Sequence, residues 1–384
     1  MLRGLVIGIQ DIRYPIHGSA RLALVTMHAL ALSGHKIDYL ALWSYNKSEA
    51  ILVTTRSRWG FARINMIKVP IKTTSNSLPI LSSSITDPII KLFHEDYDYI
   101  LCLERRYIPT VCRYFSKKLS APLITYMDSP KYMHPERLTT TELLVRPAAL
   151  AWYVITSHMS DLTICVSKYI EVFLKKWGTN AITIEPTYAL LGRDSDILSK
   201  TNNGNYDINS INHEAVLCSC PLNLTVITAI KNPDVPIVVT GPQAYYVREY
   251  LKMRGLLNKV KNIHLLHNIS DEDLEKLHNK VVAALVARPA LSGLSITLLQ
   301  ELYFGKPVLT DETTASKIRG LIESGSVLIN NKYSEWPTTL KSLLNNDEQL
   351  RELSRRAESF FNRILSPVRF AETFNHALRS LNLR

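Results

Sequence analysis

Short apolar runs alternate with amphipathic segments through the first half of the chain. Each apolar run is followed by a stretch in which apolar residues recur at helical spacing. The pattern predicts strands at 4–9, 37–42, 64–69, 97–103, 123–127 and 162–166, and helices at 20–33, 107–119, 142–156 and 168–177. Strands that alternate with helices in this way are typical of a parallel, doubly wound α/β sheet with helices on both faces.

The same alternation returns in the second half, after a polar stretch. Residues 192–213 are rich in Asn, Ser, Asp and Gly, which indicates an exposed insertion or loop near a domain boundary. Beyond it we predict strands at 215–218, 236–240, 263–266, 281–287 and 307–309, a helix at 271–278 with a capping box at Ser270, and mostly helix from 334.

We therefore predict two doubly wound, Rossmann-like domains that face each other across a cleft. The predicted segments are a first domain (1–186), a polar linker (187–213), a second domain (214–365) and a final helix (366–384) that packs back on the first domain. In open parallel sheets a ligand binds beyond the carboxyl ends of the strands, so each domain can supply one side of a site.

Composition narrows the class of protein. A content of 46% hydrophobic and 21% charged residues is typical of a soluble globular protein, and 384 residues suit two domains. No apolar run approaches the roughly 20 residues of a membrane-spanning helix. The apolar start from Met1 to Ile9 fits a buried strand better than a signal peptide. We expect a cytoplasmic protein.

The five cysteines cannot all form disulfides. Three lie in strand-like apolar runs, which favours buried thiols in a reducing compartment. Two of the five stand two positions apart, as metal ligands can, but no second pair or histidine stands at zinc spacing. No metal site is expected. The cysteines are Cys102, Cys112, Cys165, Cys218 and Cys220.

A formal net charge of +11 points to an anionic partner. The lysines and arginines are scattered, which argues against a nucleic-acid-binding face, and no nucleic acid is expected. A diffuse positive surface suits peripheral contact with the anionic inner face of a membrane, and it also serves solubility.

The strongest chemical signal lies between Ala287 and Leu309. An apolar strand ends there, the small residues Ser292, Gly293 and Ser295 follow, and an amphipathic helix then runs until Gly305. A strand, a tight glycine turn and a helix in this order direct backbone N–H groups and a positive helix end towards one point. This segment predicts an anion-binding site.

Segments along nearly the whole chain resemble the retaining GT-B glycosyltransferases of family 4. The similar stretches are 17–19, 34–36, 165–169, 184–186, 238–242, 268–274 and, most closely, Gly305-Lys-Pro-Val308. The resemblance implies a GT-B fold and transfer of a sugar from a nucleotide-diphosphate sugar to a sugar, lipid or protein acceptor, with retention of configuration. It implies no metal or other cofactor, since helix ends can stabilise the departing diphosphate.

The family's two glutamates, eight positions apart, correspond to Ser292 and Gln300 here. A glutamine can still bind ribose hydroxyls as donor and acceptor, so Gln300 is expected to hold the ribose. Restoring the charge with Gln300→Glu is then expected to strengthen donor binding. Glu301 is one residue on, about 100° around the helix, and faces elsewhere unless the register shifts.

Two further family features differ. The arginine and lysine that usually neutralise the donor diphosphate are absent from 219–224, and Arg288 is the nearest replacement. Met127 stands where the family often has histidine, followed by Asp128.

The resemblance and the anion-binding pattern together give a set of candidate site residues. Asp128 and Ser292 are the candidate catalytic residues. The candidate donor-binding residues lie in turns after predicted strands, at helix starts, or on the helix that begins near Ser295: Gly18, Ser19, Gly241, Asn268, Ile269, Arg288, Gly293, Leu294, Ser295, Gln300 and Glu301.

Three alternatives stay open. The chain could be a non-catalytic GT-B protein that binds a nucleotide or sugar, or a subunit of a larger transferase, as the replaced glutamates and missing basic pair favour. Only the high isoelectric point favours a nucleic-acid-binding protein. A GT-B epimerase or phosphorylase is the third, although neither a histidine-rich site nor a lysine-anchored cofactor motif is evident.

Overall fold

The computed structural model describes most of the chain. The described residues are 1–8, 12, 18–43, 49–70, 89–91, 96–103, 108–127, 140–193, 208, 211, 214–267, 269–287 and 295–381. They form two compact units, one made of Met1–Thr187 with the C-terminal segment from Pro367, the other of Tyr188–Ser366. Each unit contains a largely parallel sheet with helices, so the prediction of two doubly wound α/β domains is confirmed.

The first unit is built on strands in the order β8-β7-β6-β5-β1-β2-β4-β3. Neighbouring strands are parallel except β3 and β4, which form an antiparallel hairpin. The strands are β1 (Arg3–Gly8), β2 (Lys36–Trp43), β3 (Glu49–Ser57), β4 (Gly60–Pro70), β5 (Tyr99–Leu103), β6 (Leu123–Met127), β7 (Leu162–Cys165) and β8 (Ala181–Thr183).

Helices of the first unit cover both faces of this sheet. They are α1 (Gly18–Leu32), α2 (Ile108–Leu119), α3 (Thr140–His158), α4 (Lys168–Lys175) and, last in the chain, α12 (Pro367–Arg379). On one face, α2 buries Ile108, Val111 and Phe115 against strand residues such as Leu5 and Leu40. Helix α12 packs on α1.

His35 fixes the C-terminal helix to the first unit. Its Nδ1 lies 2.9 Å from the Tyr99 hydroxyl on β5, and its Nε2 lies 2.7 Å from Oδ1 of Asn375 on α12. Phe374 packs edge-on against both the His35 and Tyr99 rings. Burial lowers the pKa of His35, so the neutral ring is favoured.

The β3–β4 hairpin contains one strand that the sequence pattern did not predict. Only its β4 half was expected, because Ile51-Leu52-Val53 has no clear alternation, and Leu52 is in fact 51% exposed. The hairpin is held on α1 by His28, whose two ring nitrogens lie 2.7 Å from Thr55 Oγ1 and 2.7 Å from Ser57 Oγ.

The second unit contains a parallel sheet in the order β12-β11-β10-β13-β14-β15. Its strands are β10 (Ala215–Ser219), β11 (Ile237–Thr240), β12 (Ile263–Leu266), β13 (Val281–Val286), β14 (Val308–Thr310) and β15 (Leu328–Ile329), preceded by the two-residue β9 (Gly192–Arg193).

Seven α-helices, a π-turn and the short 3-10 helix Tyr333–Glu335 lie in this unit among its described residues. The α-helices and the π-turn are α5 (Leu222–Lys231), α6 (Pro242–Met253), α7 (Asp271–His278), α8 (Ile296–Tyr303), α9 (Glu312–Ala315), α10 (Trp336–Leu344), α11 (Asp347–Phe360) and the π-turn Phe361–Leu365. Trp336 is fully buried in the core with Val239 and Leu285, and its Nε1 donates to the Asn330 carbonyl at 2.9 Å.

Candidate functional site

The order of strands in the second sheet creates one switch point, between β10 and β13. The chain winds outwards from β10 through β11 and β12 on one side, and through β13, β14 and β15 on the other. Ser219 ends β10 directly opposite Val286, which ends β13. At such a switch point the chain connections of an α/β sheet run to opposite faces, and the crevice between them at the carboxyl ends of the strands is where these sheets bind ligands.

Ser219 joins the starts of two helices at this crevice. Its hydroxyl lies 3.3 Å from Oε1 of Gln243 in the first turn of α6, and 3.4 Å from Oγ1 of Thr297 in the first turn of α8. The Gln243 amide also donates to the Cys220 carbonyl. Hydroxyl and amide groups therefore occupy the position where the resemblance led us to look for an arginine and a lysine.

Gly241 lies at the start of α6, beside the crevice. It is the residue before α6, with φ +67 and ψ −153, a backbone conformation that only glycine adopts readily. A Cβ added here would have no heavy atom of the described part of the chain within 4 Å. A glycine at this position allows a ligand to approach the backbone at the start of α6 closely.

Ser295 begins α8 and has a structural role. Its side chain accepts a hydrogen bond from the Leu298 N–H at 3.2 Å, and the residue is 4% exposed. This is an N-cap, which satisfies one of the N–H groups left open at a helix start. The start of α8 is thus held at the crevice with a defined direction.

Gln300 lies five residues further along the chain, on α8, and both ends of its amide are engaged. Its Oε1 accepts from the Tyr188 hydroxyl at 3.1 Å, and its Nε2 donates to Glu301 Oε1 at 3.1 Å. Gln300 stays partly exposed. Its Nε2 also lies 3.5 Å from His278 Nε2, so the second lone pair of Oε1 is the part of the amide that a ligand can still use.

Glu301 points into the protein. It is 0% exposed, and its carboxylate lies 3.0 and 3.2 Å from Nε2 of His278, whose other nitrogen faces the Leu274 carbonyl at 2.7 Å. Both neighbours of the ring are acceptors, so either the imidazole carries two protons or the carboxyl group holds one. Phe304 stacks on this ring at 3.7 Å. The placement of Glu301 fits positioning of Gln300, not ligand contact.

Ile269 lies just before helix α7, at the end of a partly buried loop. Of the capping box predicted there, the Ser270 N-cap is present, since the Ser270 hydroxyl accepts from the Asp273 N–H at 3.1 Å. Asp271 accepts from the Leu191 N–H at 3.0 Å.

Several candidate residues lie outside the described residues. These are Asp128, Asn268, Arg288, Ser292, Gly293 and Leu294. Gly18 and Ser19 are the first two residues of α1, which begins two residues earlier than predicted, and their side chains are outside the description. Their roles stay predictions.

The cysteines are buried, and none forms a disulfide. Cys218 Sγ lies 3.4 Å from Thr225 Oγ1 and Cys220 Sγ lies 3.3 Å from the Leu285 carbonyl, so both are packed in the second core. Among the described residues, no group of three or more His, Cys, Asp or Glu side chains is arranged to hold a metal ion.

The Tyr188–Gln300–Glu301–His278 network and the Ser219–Gln243–Thr297 bridge were not predicted. At 219–224 the sequence shows only that an arginine and a lysine are absent, which does not indicate the role of Ser219. The buried pair His278–Glu301 has no signal in the sequence, because its partners are 23 positions apart on two different helices.

Comparison with known proteins identifies the fold. No protein-family model and no curated protein matches the sequence. HepE of Anabaena, solved with UDP and glucose, superimposes with a TM-score of 0.67 at 14% identity over 99% of this chain and 100% of its own. Sucrose-phosphate synthase of Thermosynechococcus elongatus gives 0.67 at 13% identity over 99% of both chains.

A third similar structure belongs to a protein that is named for a different activity. It is a putative UDP-N-acetylglucosamine 2-epimerase from Listeria monocytogenes, with a TM-score of 0.60 at 15% identity over 99% of this chain and 96% of its own. Identities this low establish architecture, not activity. With two parallel-sheet units and similarity over its whole length, the chain has the GT-B fold of nucleotide-sugar glycosyltransferases.

Proposed function

We propose that the chain is a glycosyltransferase that binds a nucleotide-diphosphate sugar at the switch point of its second sheet and transfers the sugar with retention. The observation that carries the proposal is the Ser219 bridge, which brings the starts of α6 and α8 to one crevice. Helix starts present open N–H groups and partial positive charge, which suit a diphosphate. That HepE was solved with UDP and with UDP-glucose supports this class of donor.

Charge stabilisation is the chemical task of such a site. As the bond from sugar to diphosphate breaks, negative charge grows on the phosphate oxygens, and fixed donors aimed at them lower the barrier. The helix starts and the Ser219, Gln243 and Thr297 side chains supply donors without formal charge. We assign the missing cation to Arg288, and contact with the sugar or acceptor to Asp128 and Ser292.

Gln300 is proposed to hold the ribose with the amide capacity that Tyr188 and Glu301 leave open. Retention rests on the resemblance to family 4, together with the spacing of eight between Ser292 and Gln300. The acceptor is a sugar, a lipid or a protein.

One observation favours a second function, a GT-B protein that binds the donor without turnover. A neutral residue stands at both family glutamate positions, and Gln300 is already bonded to two side chains. Binding and chemistry therefore need separate tests.

Calorimetric titration of the full chain with UDP, GDP and ADP, then with the matching monophosphate and glucose conjugate, tests binding. We expect one diphosphate to bind more tightly than its monophosphate. Proton NMR of the sugar released to water or to an added acceptor then tests turnover, and the first product should keep the donor's anomeric configuration. An inverted product contradicts retention, while binding without product supports the second function.

A pair of glycine variants locates the site. Gly241→Ala and Gly255→Ala introduce the same group at φ +67 and φ +62, both with open space around the added Cβ. Each should destabilise the protein by roughly 1 kcal/mol. Only Gly241→Ala should weaken diphosphate binding, because Gly255 follows the far end of α6. Equal affinities in both variants would place the ligand elsewhere.

A further inference from the structure

Helix α3 exposes an apolar surface. Every residue described as exposed from Leu143 to Ile155 is apolar. Leu144, Ala148, Ala151 and Ile155 follow the spacing of one helix face, and Leu144 is 78% and Ile155 49% exposed. The helix has 19 residues, so this stripe runs along most of about 28 Å. A solvent-facing helix side is normally polar, and an apolar one marks an interaction surface.

The stripe continues onto the neighbouring helix α4, which packs against α3. His158 lies one turn beyond Ile155 on the same side of α3, and its Nε2 lies 2.9 Å from the backbone carbonyl of Trp177, just after α4. Trp177 is 60% exposed and Tyr169 on α4 is 56% exposed. We call the four α3 residues together with Tyr169, Val172 and Trp177 the α3–α4 face.

Lysines surround the α4 part of this face. Lys168, Lys175 and Lys176 are exposed, whereas the carboxylate among them, Glu171, is buried. Glu171 accepts from both Lys168 and Lys175 at 2.7 Å and from the Thr183 hydroxyl at 2.7 Å. This part of the face therefore carries three ammonium groups and one buried carboxylate, and its net charge is positive.

We propose that the α3–α4 face docks on a lipid bilayer with anionic headgroups. A bilayer interface accepts this combination: aliphatic side chains enter the acyl boundary, tryptophan and tyrosine lie at the headgroup level, and lysines meet anionic lipids. The net charge of +11 draws the whole chain to the same surface. No membrane-spanning helix was found in the described part of the chain. The inference does not depend on sugar transfer.

Co-sedimentation with vesicles tests the proposal. The full chain is mixed with vesicles of phosphatidylcholine alone, or with about a third phosphatidylglycerol, at low and high salt. We expect binding to the anionic vesicles that weakens at high salt, because surface charges are screened. A chain that stays in solution with anionic vesicles at low salt overturns the proposal.

Matched variants test whether vesicle binding takes place at the α3–α4 face. The double variant Leu144→Gln, Ile155→Gln should lower the ratio of vesicle-bound to free protein at least tenfold. A glutamine side chain does not gain the free energy that an aliphatic side chain gains when it moves from water into the bilayer. Ile227→Gln with Ile230→Gln is the control, because these isoleucines are also exposed, at 43% and 50%, but on α5. Lys176→Glu should weaken binding to anionic vesicles only. Unchanged melting temperatures show that all variants fold.

A second copy of the chain or another protein is the competing occupant. Light scattering after size-exclusion chromatography distinguishes it. A dimer that the Leu144→Gln, Ile155→Gln variant dissociates, without any loss of vesicle binding, overturns the proposal. Equal loss of binding in the α5 control pair overturns it as well.

Discussion

At the scale of single residues, Gln300 and Glu301 are neighbours on α8 but have different roles. Gln300 is partly exposed and reaches Tyr188, while Glu301 is sealed inside against His278. The resemblance suggested that Gln300→Glu restores a family charge and strengthens binding. The structure argues for another result, because the Gln300 amide nitrogen lies 3.1 Å from the Glu301 carboxylate.

We therefore predict that Gln300→Glu destabilises the protein by on the order of 1–3 kcal/mol near neutral pH, since it sets two carboxylates against each other. Urea unfolding measures the change. The loss should shrink as the pH falls towards about 4, because a protonated carboxyl group can again donate to Glu301.

Gln300→Leu is the control for that variant, since it removes the amide's bonds without adding charge and should not show the same dependence on pH. A Gln300→Glu protein as stable as the parent, with tighter nucleotide binding, would mean that the new side chain turns away from Glu301 and restores the original expectation.

Residue roles were only partly predictable. The position of Gln300 followed from its distance to Gly305, and the Ser270 cap from its spacing to Asp273. Each of these features depends on residues no more than five positions apart, so local spacing in the sequence is enough to predict it. The Tyr188–Gln300 contact joins residues 112 positions apart, and no local pattern encodes it.

At the scale of elements, the hydrophobic pattern located the parallel strands because each is buried on both faces. Strands β5, β6 and β7 are nearly continuous buried runs and match their predicted positions closely. The strand β3 was missed because it lies in a hairpin with Leu52 and Phe61 exposed, each at 51%, so burial did not shape its sequence.

The starts of helices α7 and α8 allow a matched test. Ser270 and Ser295 both cap a helix by accepting from the N–H three residues on, at 3.1 and 3.2 Å. We predict that Ser270→Ala and Ser295→Ala each cost about 1 kcal/mol of stability in chemical unfolding.

Only Ser295→Ala should also weaken diphosphate binding in calorimetry, because α8 begins at the proposed site beside Thr297. An equal effect of both variants on affinity would show a general loss of order, and no effect of either would remove the start of α8 from the site.

At the scale of the whole molecule, the second unit is formed by one continuous stretch, whereas the first needs both ends of the chain. Phe370 and Phe374 of α12 are buried, at 2% and 0% exposure, and Asn375 binds His35. Removing buried phenylalanines costs several kcal/mol each, roughly 3–5 by substitution to alanine.

We predict that a chain ending at Ser366 keeps its second unit and loses its first. Limited proteolysis with mass spectrometry should yield a resistant fragment close to Tyr188–Ser366, while the first unit is degraded. Asn375→Ala, which removes one hydrogen bond, should weaken the first unit mildly. A truncated chain that resists proteolysis throughout would show that α12 is dispensable.

The return of α12 to the first unit also has a consequence for synthesis on the ribosome. Most of the first unit is translated before the second unit, yet the helix that covers His35 and Tyr99 is translated after it. The stretch Tyr188–Ser366 holds its whole sheet and can fold as soon as it has left the exit tunnel. We therefore expect the second unit to complete its fold before the first unit, which lacks its thirteen-residue helix α12 until that helix has been synthesised.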